Sequence, residues 1–167
     1  MTEMTLPTPE ELRKRLRYDP ETGKLYWLKG EYGLKEAFTT KDRGGYHKSR
    51  INGKHASAHR VIWALVHGEW PADQIDHING QPDDNRLCNL RCVTASENQK
   101  NKARHSNNTS GRTGVRWHKG GRKWEARIRV GGRLIHLGTF QRFEDAVAAR
   151  EKAEIEHGFH PNHDRLL

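Results

Sequence analysis

The chain has 167 residues, which is enough for one medium domain or for two small domains joined by a linker. Its 30 Lys and Arg against 21 Asp and Glu give a formal charge of +9, which favours a polyanionic partner such as nucleic acid. No apolar run approaches the roughly 20 residues of a membrane span, and the N-terminal segment lacks the apolar core of a signal peptide. We therefore expect a cytoplasmic protein that does not bind membranes.

The positive charge is concentrated just after the middle of the chain. Residues 1–100 carry 16 basic and 14 acidic side chains, whereas residues 101–133 carry 10 basic side chains and only Glu125. A solvated charged surface is one interpretation of such a run. Because Trp117, Trp124 and Ile128 are interleaved with it, we expect the run to lie on folded structure and favour nucleic-acid binding.

Capping and turn signals predict the elements of the N-terminal half. Thr8 and Glu11 have the spacing of a capping box around Pro9, Asn52-Gly53 is typical of a hairpin turn, and Gly68 is typical of a helix end. The predicted elements are a helix at 9–17, a turn at 19–23, a strand at 24–28, a hairpin at 45–54 and a helix at 58–67. The last helix presents an apolar stripe for packing: Val61, Ile62, Leu65 and Val66.

The middle of the chain has the pattern of strand, loop, strand and helix. Residues 74–78 and 90–93 are the predicted strands, and the loop between them begins with the turn Asn79-Gly80. Thr94 and Glu97 have the spacing of a second capping box, which predicts a helix that carries Asn98 near its start.

This unit contains the residue types that phosphodiester hydrolysis requires. His77 can take a proton from water because imidazole titrates near neutrality. Asp76 and Asn98 offer oxygen ligands, which suit a hard cation such as Mg²⁺ or Mn²⁺. Asn89 is placed to hydrogen-bond the second ring nitrogen of His77 and so to fix its tautomer.

The same residues resemble the HNH endonucleases, in particular the small phage and intron-encoded homing type. The resemblance rests on Asp76-His77-Ile78-Asn79-Gly80, Asp84-Asn85-Arg86, Asn89-Leu90-Arg91, Thr94 and Asn98. It implies a ββα-metal fold with His77 as general base, Asn89 as the orienting residue, and Asp76 and Asn98 as metal ligands. Many members have His where this chain has Asn98, so the resemblance is to an HNN variant and argues against zinc.

The C-terminal part predicts a separate domain. Its composition indicates a linker at 105–112, and strands are expected at 114–119, 123–130 and 133–137, followed by a helix at 143–157. Alternation along the middle strand places Trp124, Ala126, Ile128 and Val130 on one face, with Arg127 and Arg129 on the other. We expect the apolar face to pack on the helix, through Ala146, Ala149, Ala153 and Ile155, and the basic face to contact DNA.

Residues 112–162 resemble the Apetala-type DNA-binding domain of plant ethylene-response factors. Gly114-Val115-Arg116, residues 124–129 and the segment Leu137-Gly138-Thr139-Phe140 carry this resemblance. By position, it implies base and phosphate contacts at Arg116, His118, Arg127, Arg129 and His136. Two of these depart from the family, since His136 replaces its usual Trp and Arg127 replaces its acidic residue, so the plant target sequence does not transfer.

Together these patterns predict an α+β protein in which a ββα-metal HNH nuclease domain (residues 1–104) precedes a three-stranded antiparallel sheet packed on one helix (residues 113–167). The expected function is a metal-dependent endonuclease that acts on double-stranded DNA, nicking at a preferred site as a monomer. The alternatives are a catalytically silent DNA-binding regulator and a non-specific nuclease. Outside the site, we expect packing or phosphate contact for His59-Arg60 and partly buried, reduced thiols for Cys88 and Cys92. We expect surface positions for three histidines: His157, His160 and His163.

Overall fold

The computed structural model describes residues 6–29, 33–105 and 107–165. The chain divides into two compact units, Met1–Ala95 and Ser96–Leu167. The first five residues of the predicted N-terminal segment and Ser106 of the predicted linker lie outside the described residues. Within the described residues, no helix is long and apolar enough to cross a membrane.

The first unit is built from short hairpins around one buried helix. Its elements are α1 (Pro9–Arg13), β1 (Leu16–Asp19), β2 (Lys24–Lys29), β3 (Gly33–Ala37), β4 (Thr40–Lys41), β5 (His47–Ile51), β6 (Lys54–Ser57), α2 (Ala58–His67), β7 (Gln74–His77), a short 3-10 helix (Leu87–Asn89) and β8 (Leu90–Val93). The strands form three antiparallel sheets, in the orders β1-β2-β3, β4-β5-β6 and β7-β8.

Three of the predicted turns and caps are present in the first unit. Thr8 and Glu11 form the capping box, with the Glu11 backbone donating to Thr8 Oγ1 at 3.2 Å. Asn52 and Gly53 both have positive φ between β5 and β6, and Gly68 ends α2 in the left-handed conformation. Packing on α2 follows the predicted stripe except at one position, since Val66 is 42% exposed.

The predicted first helix is wrong in length. It ends at Arg13 and not at residue 17, because Leu16–Asp19 forms a strand that pairs with the strand after the 19–23 turn. Leu16 and Leu25 are both buried in the core of this unit. Burial of these two apolar side chains and the ladder hydrogen bonds of the hairpin therefore outweigh local helix propensity.

The second unit contains the predicted sheet packed on one helix. Its elements are α3 (Ala95–Gln99, which begins at the boundary), β9 (Val115–His118), β10 (Lys123–Val130), β11 (Arg133–Phe140) and α4 (Phe143–Glu156). The antiparallel sheet has the order β9-β10-β11, with a register shift between Ala126 and Arg127. Val115, Ala126 and Ala146 are buried between sheet and helix.

The boundary between the units lies upstream of the predicted linker. Residues 100–104 belong to the second unit, where they run beside its C-terminal segment. The His160 backbone donates to the Lys100 carbonyl at 3.1 Å, and the Asp164 backbone donates to the Lys102 carbonyl at 2.9 Å. Backbone pairing with a segment some sixty positions away carries no local sequence signal, so composition placed the boundary too late.

Besides Val66, three predictions of side-chain burial are wrong. Ile155, expected to pack, is 82% exposed, while Arg150 and Glu154 are buried on α4. His163, expected at the surface, has a side chain that is only 8% exposed and lies beside those two residues. Cys88 and Cys92 are both exposed, with free thiols. Ion pairing explains why Arg150 and Glu154 are buried on α4, because charged side chains are buried only where partners compensate for their desolvation.

Candidate functional site

The β7–β8 hairpin holds His77 at the end of a strand with its side chain inside the unit. His77 is only 4% exposed. Antiparallel pairing sets His77 opposite Leu90, and the backbone of Ile78 donates to the Asn89 carbonyl at 2.8 Å. The histidine is therefore fixed by a closed hairpin whose two strands are joined by the loop of residues 78–89.

The ring of His77 is oriented by Asn85. Its Nε2 atom lies 3.1 Å from Asn85 Oδ1, and Asn85 is itself 3% exposed. Tyr18 supports this loop from a distant strand, since its hydroxyl donates to the Asn85 carbonyl at 3.3 Å and accepts from the Leu87 backbone at 2.9 Å. Gly23 packs directly on the same loop, where a Cβ would lie 2.6 Å from the Arg86 nitrogen.

Asn89 does not make the predicted hydrogen bond to His77. Its Oδ1 accepts from the backbone of Asn79 at 2.9 Å, and its Nδ2 donates to the Asp84 carbonyl at 2.8 Å. Asn89 thus closes the loop that carries Asn85. Both asparagines lie in the sequence motif, and the motif alone does not indicate which of them reaches the imidazole.

Asp76 lies next to His77 on β7 and is 8% exposed. Its Oδ2 accepts from both Nε and Nη2 of Arg91, at 2.9 and 2.7 Å. These two residues are cross-strand partners in the β7–β8 ladder. The sequence did not indicate a role for Arg91, although its position opposite Asp76 in the predicted hairpin is a usable signal.

Two aromatic rings, those of His59 and Tyr46, contact each other and the ring of His77. The His59 ring lies edge-on to His77 at 5.3 Å between centroids, and Tyr46 lies 5.5 Å from His59 and 5.6 Å from His77. His59 therefore has the packing role that the sequence suggested. Arg60, its neighbour, donates to the backbone carbonyls of Pro71 and Asp73.

Burial sets the protonation of both histidines. Desolvation lowers the pKa of His59 to about 4, and the nearby His77 and Arg60 act in the same direction. Burial also lowers the pKa of His77, against the opposing effects of the Asn85 hydrogen bond and the neighbouring aspartates. Near neutral pH both rings are therefore uncharged, and a neutral imidazole is able to accept a proton.

Metal ligation has a limited set of donors in this chain. Within residues 6–29, 33–105 and 107–165, no three His, Cys, Asp or Glu side chains gather as a metal cluster. Asp76 carries carboxylate oxygens, the type of donor that suits Mg²⁺, which keeps several waters and binds substrate phosphate. Asn98 lies on α3, which extends into the second unit, and its predicted role beside Asp76 stays a prediction.

In the second unit, the predicted DNA-contacting side chains lie on β9, β10 and β11. Register pairing sets Arg116 opposite Glu125, and Arg127 opposite His136. Residues 125, 127 and 129 alternate along β10 with the buried Ala126 and Ile128, so they face away from α4. His118 and Arg129 make hydrogen bonds to backbone groups three residues away. His118 Nδ1 accepts from the Gly121 backbone, and Arg129 donates to the Gly132 carbonyl.

Glu125 is the acidic residue within this basic face. Arg116 Nε lies 2.8 Å from its Oε2, while Arg127 Nε and His136 Nε2 lie 3.3 and 3.5 Å from its Oε1. The hydrogen bond from Arg116 is the largest influence on the carboxyl group, and its net effect with the nearby cations is to lower the pKa of Glu125. The sequence showed Glu125 as an exception in a basic run but did not indicate this contact.

The middle of the chain is similar to one family of known proteins. Residues 56–100 match the family model of the HNH endonucleases. The HNH segment contains all four residues predicted for the site: Asp76, His77, Asn89 and Asn98. The matched residues include α2, the β7–β8 hairpin and α3.

A phage protein is similar over part of its length. Protein 3.8 of Escherichia phage T7 is 34% identical over 76 residues, which are 45% of this chain and 63% of that protein. The match therefore covers less than two thirds of that relative. No solved structure matches the chain. The resemblance of residues 112–162 to the Apetala-type domain rests on the sequence alone.

Proposed function

We propose that the chain is a metal-dependent DNA endonuclease whose HNH segment cuts the phosphodiester bond and whose basic sheet binds double-stranded DNA. The observation that carries the proposal is the buried, neutral His77 held by Asn85 within the segment that matches the HNH family. The proposed site has a ββα-metal arrangement, in which β7 and β8 supply the hairpin and α3 supplies Asn98.

In this mechanism His77 is the general base. Asn85 Oδ1 is an acceptor, so it pairs with the protonated Nε2 and selects the tautomer with a lone pair on Nδ1. Nδ1, which is buried in this structure, would then take a proton from a water that gains access to it when DNA binds, as the new bond to phosphorus forms. The rings of His59 and Tyr46 restrict rotation of the imidazole, and a fixed general base loses less entropy on reaching the transition state.

Asp76 and Asn98 would hold one divalent cation, Mg²⁺ or Mn²⁺. When bound, such a cation stabilises negative charge on the phosphate and on the leaving oxygen. The two hydrogen bonds from Arg91 hold the carboxylate of Asp76 in one orientation. This arrangement is of the homing type proposed from the sequence, in which Asn takes the place of His at the third position of the motif.

The second unit would choose where the enzyme acts. Five side chains are proposed as its DNA contacts: Arg116, His118, Arg127, Arg129 and His136. The net charge of +9 in residues 101–133 supports binding to phosphates. The expected product is a nick, since one chain supplies a single set of site residues.

Plasmid cleavage tests the proposal directly. The wild-type protein is expected to convert supercoiled plasmid to open circle with Mg²⁺ present, and His77→Ala is expected to be inactive while binding DNA with nearly unchanged affinity. Cleavage by His77→Ala at the wild-type rate would remove His77 from its role. DNA binding by the wild type with no cleavage under any divalent cation would instead favour a catalytically silent DNA-binding regulator.

A further inference from the structure

Glu125 occupies the centre of the DNA-facing side of the second unit. In the register of the sheet, it lies between Arg116 on β9 and Thr139 on β11. Arg116, Arg127 and His136 converge on its carboxylate, at distances of 2.8 to 3.5 Å. Two arginines and one histidine, on three different strands, are therefore gathered around one acidic group.

The two arginines meet Glu125 through their Nε atoms. For Arg116 this is a hydrogen bond of 2.8 Å, and for Arg127 an ion pair at 3.3 Å. Within the described residues, these two arginines use Nε, and not their terminal Nη atoms, for the contact with Glu125. A contact at Nε restricts the plane of the guanidinium group and leaves its two Nη atoms directed away from the carboxylate. The two Nη atoms form the fork that binds O6 and N7 of guanine.

A surface that only binds phosphates gains nothing from a carboxylate at its centre. Glu125 removes one positive charge from the face and repels any phosphate that approaches it. Its side chain is 12% exposed, while that of Arg116 is 56% exposed, so the cations cover the carboxylate. The negative charge of Glu125 weakens the attraction of this face to DNA phosphates. Its contacts with Arg116 and Arg127 hold both side chains in one orientation.

We infer that Glu125 is a positioning residue that orients Arg116 and Arg127 to read guanine edges in the major groove of DNA. The inference rests on the proposed DNA-binding function of the second unit and goes beyond it, because it names the base and the residue that sets the preference. Glu125 itself acts through the arginines. An arginine side chain that is already held in one orientation loses less conformational entropy when its guanidinium group binds a guanine base.

Selection from a pool of random duplexes tests the inference on the full chain. The wild type is expected to enrich sites that contain guanine, and 7-deazaguanine at the enriched positions should weaken binding about tenfold because it lacks the N7 acceptor. Glu125→Gln is expected to reduce the ratio of affinities for selected and random duplexes about tenfold, while binding to random duplex stays equal or becomes tighter.

Two variants serve as controls for this experiment. Glu144→Gln, on α4, removes the same charge from an exposed ion pair with Arg142. It should leave the ratio of affinities for selected and random duplexes unchanged. Arg116→Lys keeps the charge but lacks the fork, so it should lose the part of the sensitivity to 7-deazaguanine that Arg116 supplies, even if Glu125→Gln folds poorly. Thermal unfolding of each variant separates a loss of fold from a loss of preference.

Each outcome has a definite meaning. A Glu125→Gln variant that folds and keeps the wild-type ratio overturns the inference, as does a wild type whose selected sites are insensitive to 7-deazaguanine. Enrichment of no sequence at all would show that the face holds phosphates only, and would also overturn it. Failure of the wild type to bind any duplex would refute the proposed DNA-binding function itself.

Discussion

The Nε2 atom of His77 lies 3.1 Å from the side-chain oxygen of Asn85, and both residues are buried. The amide that orients the imidazole is thus four positions earlier in the loop than the asparagine expected from the HNH resemblance. Asn89 supports the same loop by bonding the backbone of Asn79 and the carbonyl of Asp84. The two asparagines therefore have separable effects on catalysis and on stability.

Replacing Asn85 by Leu should slow cleavage more than it weakens DNA binding. The variant loses the acceptor that selects the His77 tautomer, so we expect a fall in the single-turnover rate of about 100-fold, within the range for general base catalysis. Asn79→Ala, which removes exposed hydrogen bonds to the Asp84 side chain and from the Gln81 backbone in the same loop, is the matched control. Equal rates for both variants would mean that Asn85 does not orient the base.

Replacing Asn89 by Ala should mainly destabilise the first unit. Asn89 is 7% exposed, and its loss leaves a backbone donor and a backbone acceptor of the loop without their partner. The cost is about 1–3 kcal/mol of unfolding free energy. Urea unfolding would measure it, and activity should recover at lower temperature as the loop reforms. A variant of wild-type stability that is inactive would instead indicate a direct catalytic role.

Local signals in the sequence identified the turns and most of the elements. Thr8 and Glu11 form their capping box, and Asn52-Gly53 closes its hairpin, because each device acts within four residues. The length of α1 was not predictable in this way, because Leu16 pairs with Trp27 across a turn. At the end of α1, strand pairing with a residue distant in the chain therefore determined the structure and outweighed local helix propensity.

In the candidate site, too, the sequence predicted some residues correctly but did not predict the contacts made by residues that are distant in the chain. Asp76 and His77 were predicted because their residue types fit the chemistry, and the HNH match covers both. The contacts from Asn85 and from His59 depend on how the loop and α2 are placed. In the second unit, the buried face of α4 was missed because Arg150 and Glu154 have charged side chains whose partners are distant in sequence.

Metal removal should silence the enzyme reversibly. Excess EDTA is expected to abolish cleavage, with activity restored by added Mg²⁺ or Mn²⁺, and Asp76→Ala should stay inactive at every metal concentration. The Arg91 side chain is 34% exposed, so it can reach water when Asp76 is removed, and the variant should remain folded. Cleavage that persists in excess chelator would contradict the metal mechanism.

One protein molecule should nick one strand. A single set of site residues acts on one scissile phosphate, so cutting both strands requires a second molecule. Supercoiled plasmid at limiting protein should accumulate as open circle before linear product appears. Direct conversion of supercoiled plasmid to linear DNA, with a second-order dependence on protein concentration, would show that a dimer cuts in concert.

Acid should destabilise the second unit through a buried ionic cluster. The Asp164 side chain is fully buried, and Arg104 and Arg112 lie 3.1 and 3.0 Å from its Oδ2. Thr113 also donates to Asp164 through its backbone and its hydroxyl. On the other side of this cluster, Arg150 Nη2 lies 3.3 Å from His163 Nε2.

The two titrating groups of this cluster act in different pH ranges. Burial lowers the pKa of His163 below its usual 6.5, so the unfolded chain takes up the proton first and stability begins to fall as the pH drops below 6.5. Burial alone would raise the pKa of Asp164, but hydrogen bonds from Arg104 and Thr113 outweigh it and lower the pKa. Its contribution is present above pH 3.8 and is lost as the pH falls further.

Urea titration of the full chain, followed by the indole NMR signals of Trp117 and Trp124, isolates the unfolding of the second unit. The midpoint should be constant above pH 7, decrease from about pH 6.5, and decrease again below about pH 4. His163→Gln should remove the first decrease, since glutamine does not titrate, and His157→Gln, on an incompletely buried residue outside the Asp164 contacts, should retain it. A first decrease that survives in His163→Gln would assign the acid sensitivity to another group.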